Sequence, residues 1–230
     1  MTLPLKKIVQ KLAAHYGPPA KPLSDPFEII IWENIAYLVD DDRRAAAFSA
    51  LGREVGLQPV DIMGASKAQL TEFTQPGGIH AELRAQRLKE SAQIVLVEFG
   101  GDFSAALKLP LKKAMSALKK FPSIGDPGAE KILLFTRSYP VLALDSNGLR
   151  VLLRLGFGEE KKSYTSSYRS VKEAIANELN DDFDFLISAH LLLKQHGQET
   201  CKTSNPRCDD CVLRKDCAYF QSLAGANSIK

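Results

Sequence analysis

Residues 118–131 read Leu118-Lys119-Lys120-Phe121-Pro122-Ser123-Ile124-Gly125-Asp126-Pro127-Gly128-Ala129-Glu130-Lys131. This is the pattern of two helices joined by a tight turn. Pro122 has no N–H to give a helix interior and stops the first helix. Gly125 permits a positive φ within the turn. Asp126 is placed to cap the second helix, with Pro127 at its first position, where a missing N–H costs nothing. Backbone N–H groups at such a turn and helix start can hold a phosphate without reading sequence. Ser123, Ile124, Gly125 and Gly128 are the candidates for that contact. The same pattern equally suits an αα-hairpin that binds nothing.

Helical periodicity extends outward from the hairpin in both directions. Leu3, Ile8, Val9 and Leu12 recur at helical spacing, and Phe27, Ile30, Ile31, Asn34 and Leu38 mark a second helix. Further helices are predicted over 45–55, 84–99, 111–120, 128–137, 147–155, 168–179 and 183–196, and Ser66 starts another in capping-box form. The β-prone runs 94–97 and 141–144 do not build a sheet: the first lies inside a helical pattern and the second is too brief. Glycine and proline clusters at 17–19, 76–78, 100–101 and 156–158 mark turns. The tail from Ala224 to Lys230 is small and polar enough to fray. The expected fold is therefore all-α.

All four cysteines fall in one short stretch, Cys201, Cys208, Cys211 and Cys217, with the spacing C-x6-C-x2-C-x5-C. Disulfides usually tie distant segments of small secreted domains, so a local cluster points to metal ligands instead. Both tetrahedral zinc and an iron–sulfur cube accept four thiolates. Zinc more often takes two separated knuckles than one tight run. Lys202, Arg207, Arg214 and Lys215 lie between the cysteines, either as a solvated basic loop or as cations for phosphates. No apolar run approaches the roughly 18–20 residues that span a bilayer. The first residues carry no signal-peptide pattern, which places the chain in the cytoplasm as an expectation. The net charge of +3 permits a polyanionic partner without demanding one.

The order Phe121-Pro122-Ser123-Ile124-Gly125, then Leu144-Asp145-Ser146-Asn147, Arg150-Val151, His196-Gly197 and Thr200-Cys201 resembles the endonuclease III-like helix-hairpin-helix DNA glycosylase superfamily. The resemblance runs from Pro26 to Tyr219. It implies a [4Fe–4S] cluster on the four cysteines and a monomer acting in the nucleoid on double-stranded DNA that carries a damaged or mispaired base. It also implies two helical lobes with DNA across the cleft between them. One lobe spans residues 23–139 and ends in the hairpin. The other joins 1–22 to 140–230 and is closed by the loop 201–217.

Asp145 is then the first catalytic candidate. Breaking an N-glycosidic bond builds positive charge on the sugar, and a fixed carboxylate stabilises it and orients water. The plainer reading is that Asp145 caps the helix beginning near Asn147. Glu33 falls where adenine-excising and thymine-mismatch members carry a glutamate. A general acid there needs an apolar setting, which Trp32 and Tyr37 are placed to supply as a base pocket. A solvated helix glutamate is the alternative. The loop Gln75-Pro76-Gly77-Gly78-Ile79-His80 resembles the one that fills the gap left by an extruded base, with Ile79 or His80 as the wedge; an inert turn is the alternative. His190 and His196 read as core or interdomain residues, not ligands. Bifunctional members carry a nucleophilic lysine after the hairpin. Pro127 stands at that position here, and Lys131, one turn later, is expected to face elsewhere. A monofunctional glycosylase is therefore expected.

Overall fold

The computed structural model describes residues 3–227, among which there are thirteen α-helices, four short 3-10 turns and no β-strand. Two compact units divide the chain, one made of residues 22–139 and the other of the N-terminal segment to Lys21 together with the chain from Pro140 onward. The second unit opens the sequence with α1 (Leu5–Tyr16). The first unit then holds α2 (Pro26–Ile35), α3 (Asp41–Glu54), α4 (Pro59–Gly64), α5 (Lys67–Thr74), α6 (Ala81–Glu98), α7 (Ser104–Leu107), α8 (Leu111–Leu118) and α9 (Asp126–Phe135). The chain returns to the second unit with α10 (Ser146–Leu155), α11 (Tyr164–Ile175), α12 (Phe183–Glu199) and α13 (Ala218–Asn227). No helix among the described residues is long and apolar enough to cross a membrane.

Side-chain caps explain where many helices begin. Asp25 accepts the N–H groups of Phe27 and Glu28, Asp40 that of Arg43, and Ser66 that of Gln69. Asp145, Ser163 and Asp182 do the same for α10, α11 and α12. Each cap satisfies donors the helix leaves orphaned, a contribution of about 1 kcal/mol apiece. The acidic run Asp40-Asp41-Asp42 thus starts α3.

Within residues 22–139, α2, α4 and α5 pack on α6, and α9 reaches back to α2. Ile29, Ile30, Ile31, Leu70, Leu88 and Ala92 form its dry interior. In the other unit, α10 and α1 both pack on α12, burying Leu5, Ile8, Leu12, Leu152, Leu192 and Leu193. An extended segment, 140–145, leads into α10, and Leu142, Ala143 and Leu144 anchor it below the surface. His190 Nδ1 bonds the Ala143 carbonyl oxygen at 2.9 Å, so His190 is the core residue the sequence predicts.

Several boundaries differ from expectation. The second helix stops at Ile35, short of Leu38, because Ala36 turns extended and Tyr37 N–H donates to the Gly77 carbonyl at 2.8 Å. Leu38 is left 75% exposed at φ +57°. Leu3 precedes α1 instead of belonging to it. Residues 94–97 lie inside α6, as periodicity requires. The expected frayed tail begins inside α13, which continues to Asn227; its last residues, 228–230, lie outside the described part.

One glycine sets the closest approach in the second unit. A Cβ on Gly197 of α12 would stand 2.6 Å from Asn147 Cβ and 2.9 Å from the Asn147 carbonyl oxygen. The start of α10 therefore rests on bare backbone. Gly197→Ala should force the two helices apart and lower stability by about 1–3 kcal/mol, read as a reduced denaturation midpoint. An unchanged midpoint would mean that this contact does not position α10.

Candidate functional site

Asp145 ends the buried segment 140–145 and caps α10 with φ −78° and ψ 178°. Its Oδ1 accepts the Gly148 N–H at 2.7 Å and its Oδ2 accepts Asn147 Nδ2–H at 3.1 Å. The side chain is half-buried. Both oxygens are thus held by one donor each, which fixes the plane of the carboxylate and leaves further lone pairs on it. The capping reading is correct as structure, and it also supplies the rigidity a catalytic carboxylate needs.

The chain of bonds continues away from Asp145. Asn147 Oδ1 accepts from Arg150 Nη2 at 2.9 Å. Arg150 Nη2 also donates to the Gly197 carbonyl at 2.7 Å, and Nε to the Cys201 carbonyl at 2.9 Å. Burial lowers the Arg150 pKa from its ordinary value, partly offset by Cys201 and Asp145 beside it. Two side chains therefore join the candidate carboxylate to the first cysteine of the loop. The sequence contains both residues, but nothing in it announces the link.

All four cysteines line one small cavity. Cys217 is buried and the other three are half-buried. Among the described residues no three His, Cys, Asp or Glu side chains are grouped so that they could hold a single metal ion. Arg154 spans the cavity wall: Nη1 donates to Cys201 Sγ at 3.3 Å and to the Lys202 carbonyl at 2.7 Å, and the guanidinium lies 4.6 Å from the Tyr219 ring centre. His196 Nε2 stands 3.5 Å from Cys211 Sγ, and Tyr16 Oη joins His196 Nδ1 at 2.9 Å to Thr200 Oγ1 at 2.8 Å. His196 is a core residue that also touches a thiol. Burial pushes the Cys211 thiol up to about 11 and raises that of Cys208 as well. Without a metal these thiols stay protonated; a bound centre displaces the protons. The loop is less basic than its lysine and arginine count suggests. Arg207 pairs with Asp210 at 3.5 Å and Arg214 with Asp209 at 3.3 Å. Lys202 is exposed.

In the hairpin the left-handed residue is Ser123, at φ +66°; Gly125 is extended at φ −93°. This corrects the turn expected from sequence. Gly125 itself occupies the cap position, Asp126 is the first helical residue and Pro127 the second. The Asp126 carboxylate does not cap. It pairs with Lys119 at 2.8 Å, which offsets its negative charge at the turn. Ser123 and Gly125 are exposed, Gly128 is half-buried and Ile124 is buried. A Cβ on Gly125 would meet only Pro127 Cδ, at 3.9 Å. Neither φ nor packing within the chain demands a glycine there, so the open space faces outward. Phe121 anchors the turn against Phe103 and Phe99, with ring centres 4.9 and 6.4 Å away. Buried Asn34 Nδ2 donates to the Pro122 carbonyl at 3.2 Å, tying α2 to the turn.

Glu33 does not sit in the apolar pocket predicted for it. Its Oε1 pairs with Lys131 Nζ at 2.6 Å, both side chains being largely buried. Lys131 thus faces α2 from α9, where the sequence reading turned it away. Trp32 packs edge-on against Phe48 and beneath Arg44. Tyr37 is 53% exposed and forms an isolated parallel bridge with Gly78. Ile79 and His80 are both exposed, His80 at φ +58°. Leu38, which periodicity assigns to the second helix and not to the site, is exposed beside the same loop.

No family model matches the chain. It is 28% identical over 182 residues to endonuclease III of Sulfolobus acidocaldarius, covering 78% of this chain and 76% of that one. Against endonuclease III of Thermotoga maritima the identity is 25% over 198 residues, covering 86% and 85%. Thymine-DNA glycosylase of Aeropyrum pernix is 27% identical over 165 residues, covering 71% and 70%. Among solved structures, a trapped endonuclease III–DNA covalent intermediate superposes with a TM-score of 0.75 at 18% identity, covering 96% of this chain and 99% of that one. A thermostable thymine-DNA glycosylase superposes with a TM-score of 0.74 at 17% identity, covering 95% and 97%.

Proposed function

We propose that this chain, a member of the endonuclease III-like helix-hairpin-helix glycosylase superfamily, is a DNA N-glycosylase. It extrudes a damaged or mispaired base from double-stranded DNA and hydrolyses the bond between that base and its sugar. The observation that carries this reading is the rigid, half-buried Asp145 carboxylate, held by Gly148 N–H and Asn147 at the start of α10.

As the N-glycosidic bond breaks, its electron pair leaves with the base and positive charge grows on C1′. Asp145 stabilises that charge and orients the attacking water, whose oxygen bonds to C1′ while its proton passes to the carboxylate side. The released base takes up a proton, and an abasic site remains. The hairpin supplies grip. Ser123, Ile124, Gly125 and Gly128 present backbone to one phosphate, and the bare Cα of Gly125 lets that phosphate come close. Lys202 and Arg207 are proposed as outer phosphate contacts, Arg207 after exchanging its pair with Asp210. Ile79 and His80 fill the gap the base leaves.

Glu33 is the second proposed carboxylate. Its pair with Lys131 supports a charge-stabilising role over proton donation. Pro127 offers no amine, and the Lys131 ammonium is engaged, so the reaction ends at base release without strand cleavage.

The four thiols fit a [4Fe–4S] cluster: the donors are all sulfur and they line one cavity. Cys201, Cys208, Cys211 and Cys217 would hold it. Bound there, it would supply metal–sulfur bonds to a loop whose only regular structure is two short 3-10 turns.

Asparagine caps a helix about as well as aspartate. Asp145→Asn should therefore fold and bind duplex normally while base release, screened on duplexes with single modified or mispaired bases, falls at least about 100-fold. Undiminished release would remove Asp145 from the mechanism; intact binding with no release by either protein would leave a DNA-binding relative only. Borohydride treatment on abasic DNA should trap no covalent adduct, and an adduct would establish a lyase amine. The purified protein should be brown with iron bound, and iron removal should bleach it and lower its thermal midpoint. A colourless protein holding zinc would contradict the cluster.

A further inference from the structure

Two turns of the first unit lie side by side, residues 36–39 after α2 and 77–80 before α6. The Tyr37–Gly78 bridge and the Tyr37 N–H bond to the Gly77 carbonyl join them. Together they project an apolar tip: Leu38 is 75% exposed and Ile79 50%. The backbone beneath that tip is strained. Leu38 and His80 adopt φ +57° and +58°. A left-handed conformation is unfavourable for an L-residue and persists only where neighbours over-determine it.

One buried side chain bonds the backbone of both turns. Arg84 is only 2% exposed. Its Nε donates to the Ile79 carbonyl at 2.8 Å and Nη2 to the Gly78 carbonyl at 2.6 Å, while Nη1 donates to the Ile35 carbonyl. The first two acceptors belong to one turn and the third to the residue that launches the other. Gly77 makes room for the guanidinium: a Cβ there would stand 2.7 Å from Nη1 and 2.3 Å from the Ile35 carbonyl oxygen. Arg43 adds a brace, donating to the Pro76 carbonyl at 2.8 Å. Burying a guanidinium is costly unless its donors are used. Here they are spent on carbonyls that shape an exposed tip.

We propose that Arg84 is a positioning residue for base extrusion, locking Leu38 and Ile79 into one preassembled wedge. The proposal rests on the DNA glycosylase reading. Opening a base pair costs a few kcal/mol. A tip that must be ordered at the moment of insertion adds its own entropy to that cost, and a tip ordered beforehand does not. Arg84 therefore acts on filling the gap in the duplex, and neither on grip of the phosphates nor on bond cleavage.

The test uses two duplexes, one intact and one holding a tetrahydrofuran abasic analogue beside 2-aminopurine. The wild-type chain should prefer the abasic duplex, with a fluorescence change as the wedge enters. Arg84→Met should reduce that preference about tenfold, equivalent to about 1.4 kcal/mol, and shrink the fluorescence change, with affinity for intact duplex unaltered. Arg84→Lys should restore part of both. In a Leu38→Ala/Ile79→Ala background, Arg84→Met should cost nothing further. Should Arg84→Met not fold, Gly78→Ala crowds the Tyr37 carbonyl at 2.3 Å without stranding a charge and should give the same loss. An unchanged preference, or losses that add to those of the tip variants, would overturn the proposal while leaving the glycosylase reading intact. Failure of the wild-type chain to bind either duplex would count against that reading itself.

Discussion

The Asp145 carboxylate accepts the Gly148 N–H at 2.7 Å, and much of the second unit is organised around keeping that bond in place. The bond is a helix cap, one of the commonest local interactions in proteins. Here it stands at the end of a buried extended segment and at the head of a chain of side-chain bonds to the cysteine loop. The carboxylate cannot rotate without abandoning an orphan donor and its amide neighbour. Local folding and chemical preorganisation are the same interaction.

That arrangement explains an economy in the design. The helix needs an acceptor at its cap, and the proposed reaction needs an immobile anion. One residue meets both needs because each carboxylate oxygen holds a lone pair beyond the one used in the cap. Arg150 extends the rigidity. It clamps the carbonyls of Gly197 and Cys201, so α12 and the cysteine loop are tied to the same helix start. The absence of a side chain at Gly197 allows the approach.

The first unit shows a parallel use of buried cations. Lys131 holds Glu33, and Arg84 holds the carbonyls beneath Leu38 and Ile79. Lys131 reaches a partner 98 positions away, while Arg84 joins two carbonyls of its own turn to that of Ile35 on α2. Its place one helical turn after Pro127 does not reveal the direction of Lys131, which the carboxylate on α2 sets. The left-handed residue of the hairpin lies two positions before the one sequence favours. Gly125 tolerates a positive φ, but Ser123 carries it, since burying Phe121 and Ile124 on one side of the turn dictates which residue bends.

Taken alone, the chain's residues were enough to establish an all-helical fold, the places where helices start, the hairpin and the grouping of four thiols. Those properties come from periodicity, capping chemistry and ligand spacing, all of which act over a few neighbouring positions. Tertiary structure decided what the individual side chains face. It put Lys131 on Glu33, Arg150 on the cysteine loop and Arg84 on the Ile35 carbonyl beneath an exposed apolar tip. Such pairings depend on distances between segments up to 98 positions apart. Backbone packing fixes those distances, and no short stretch of sequence contains them.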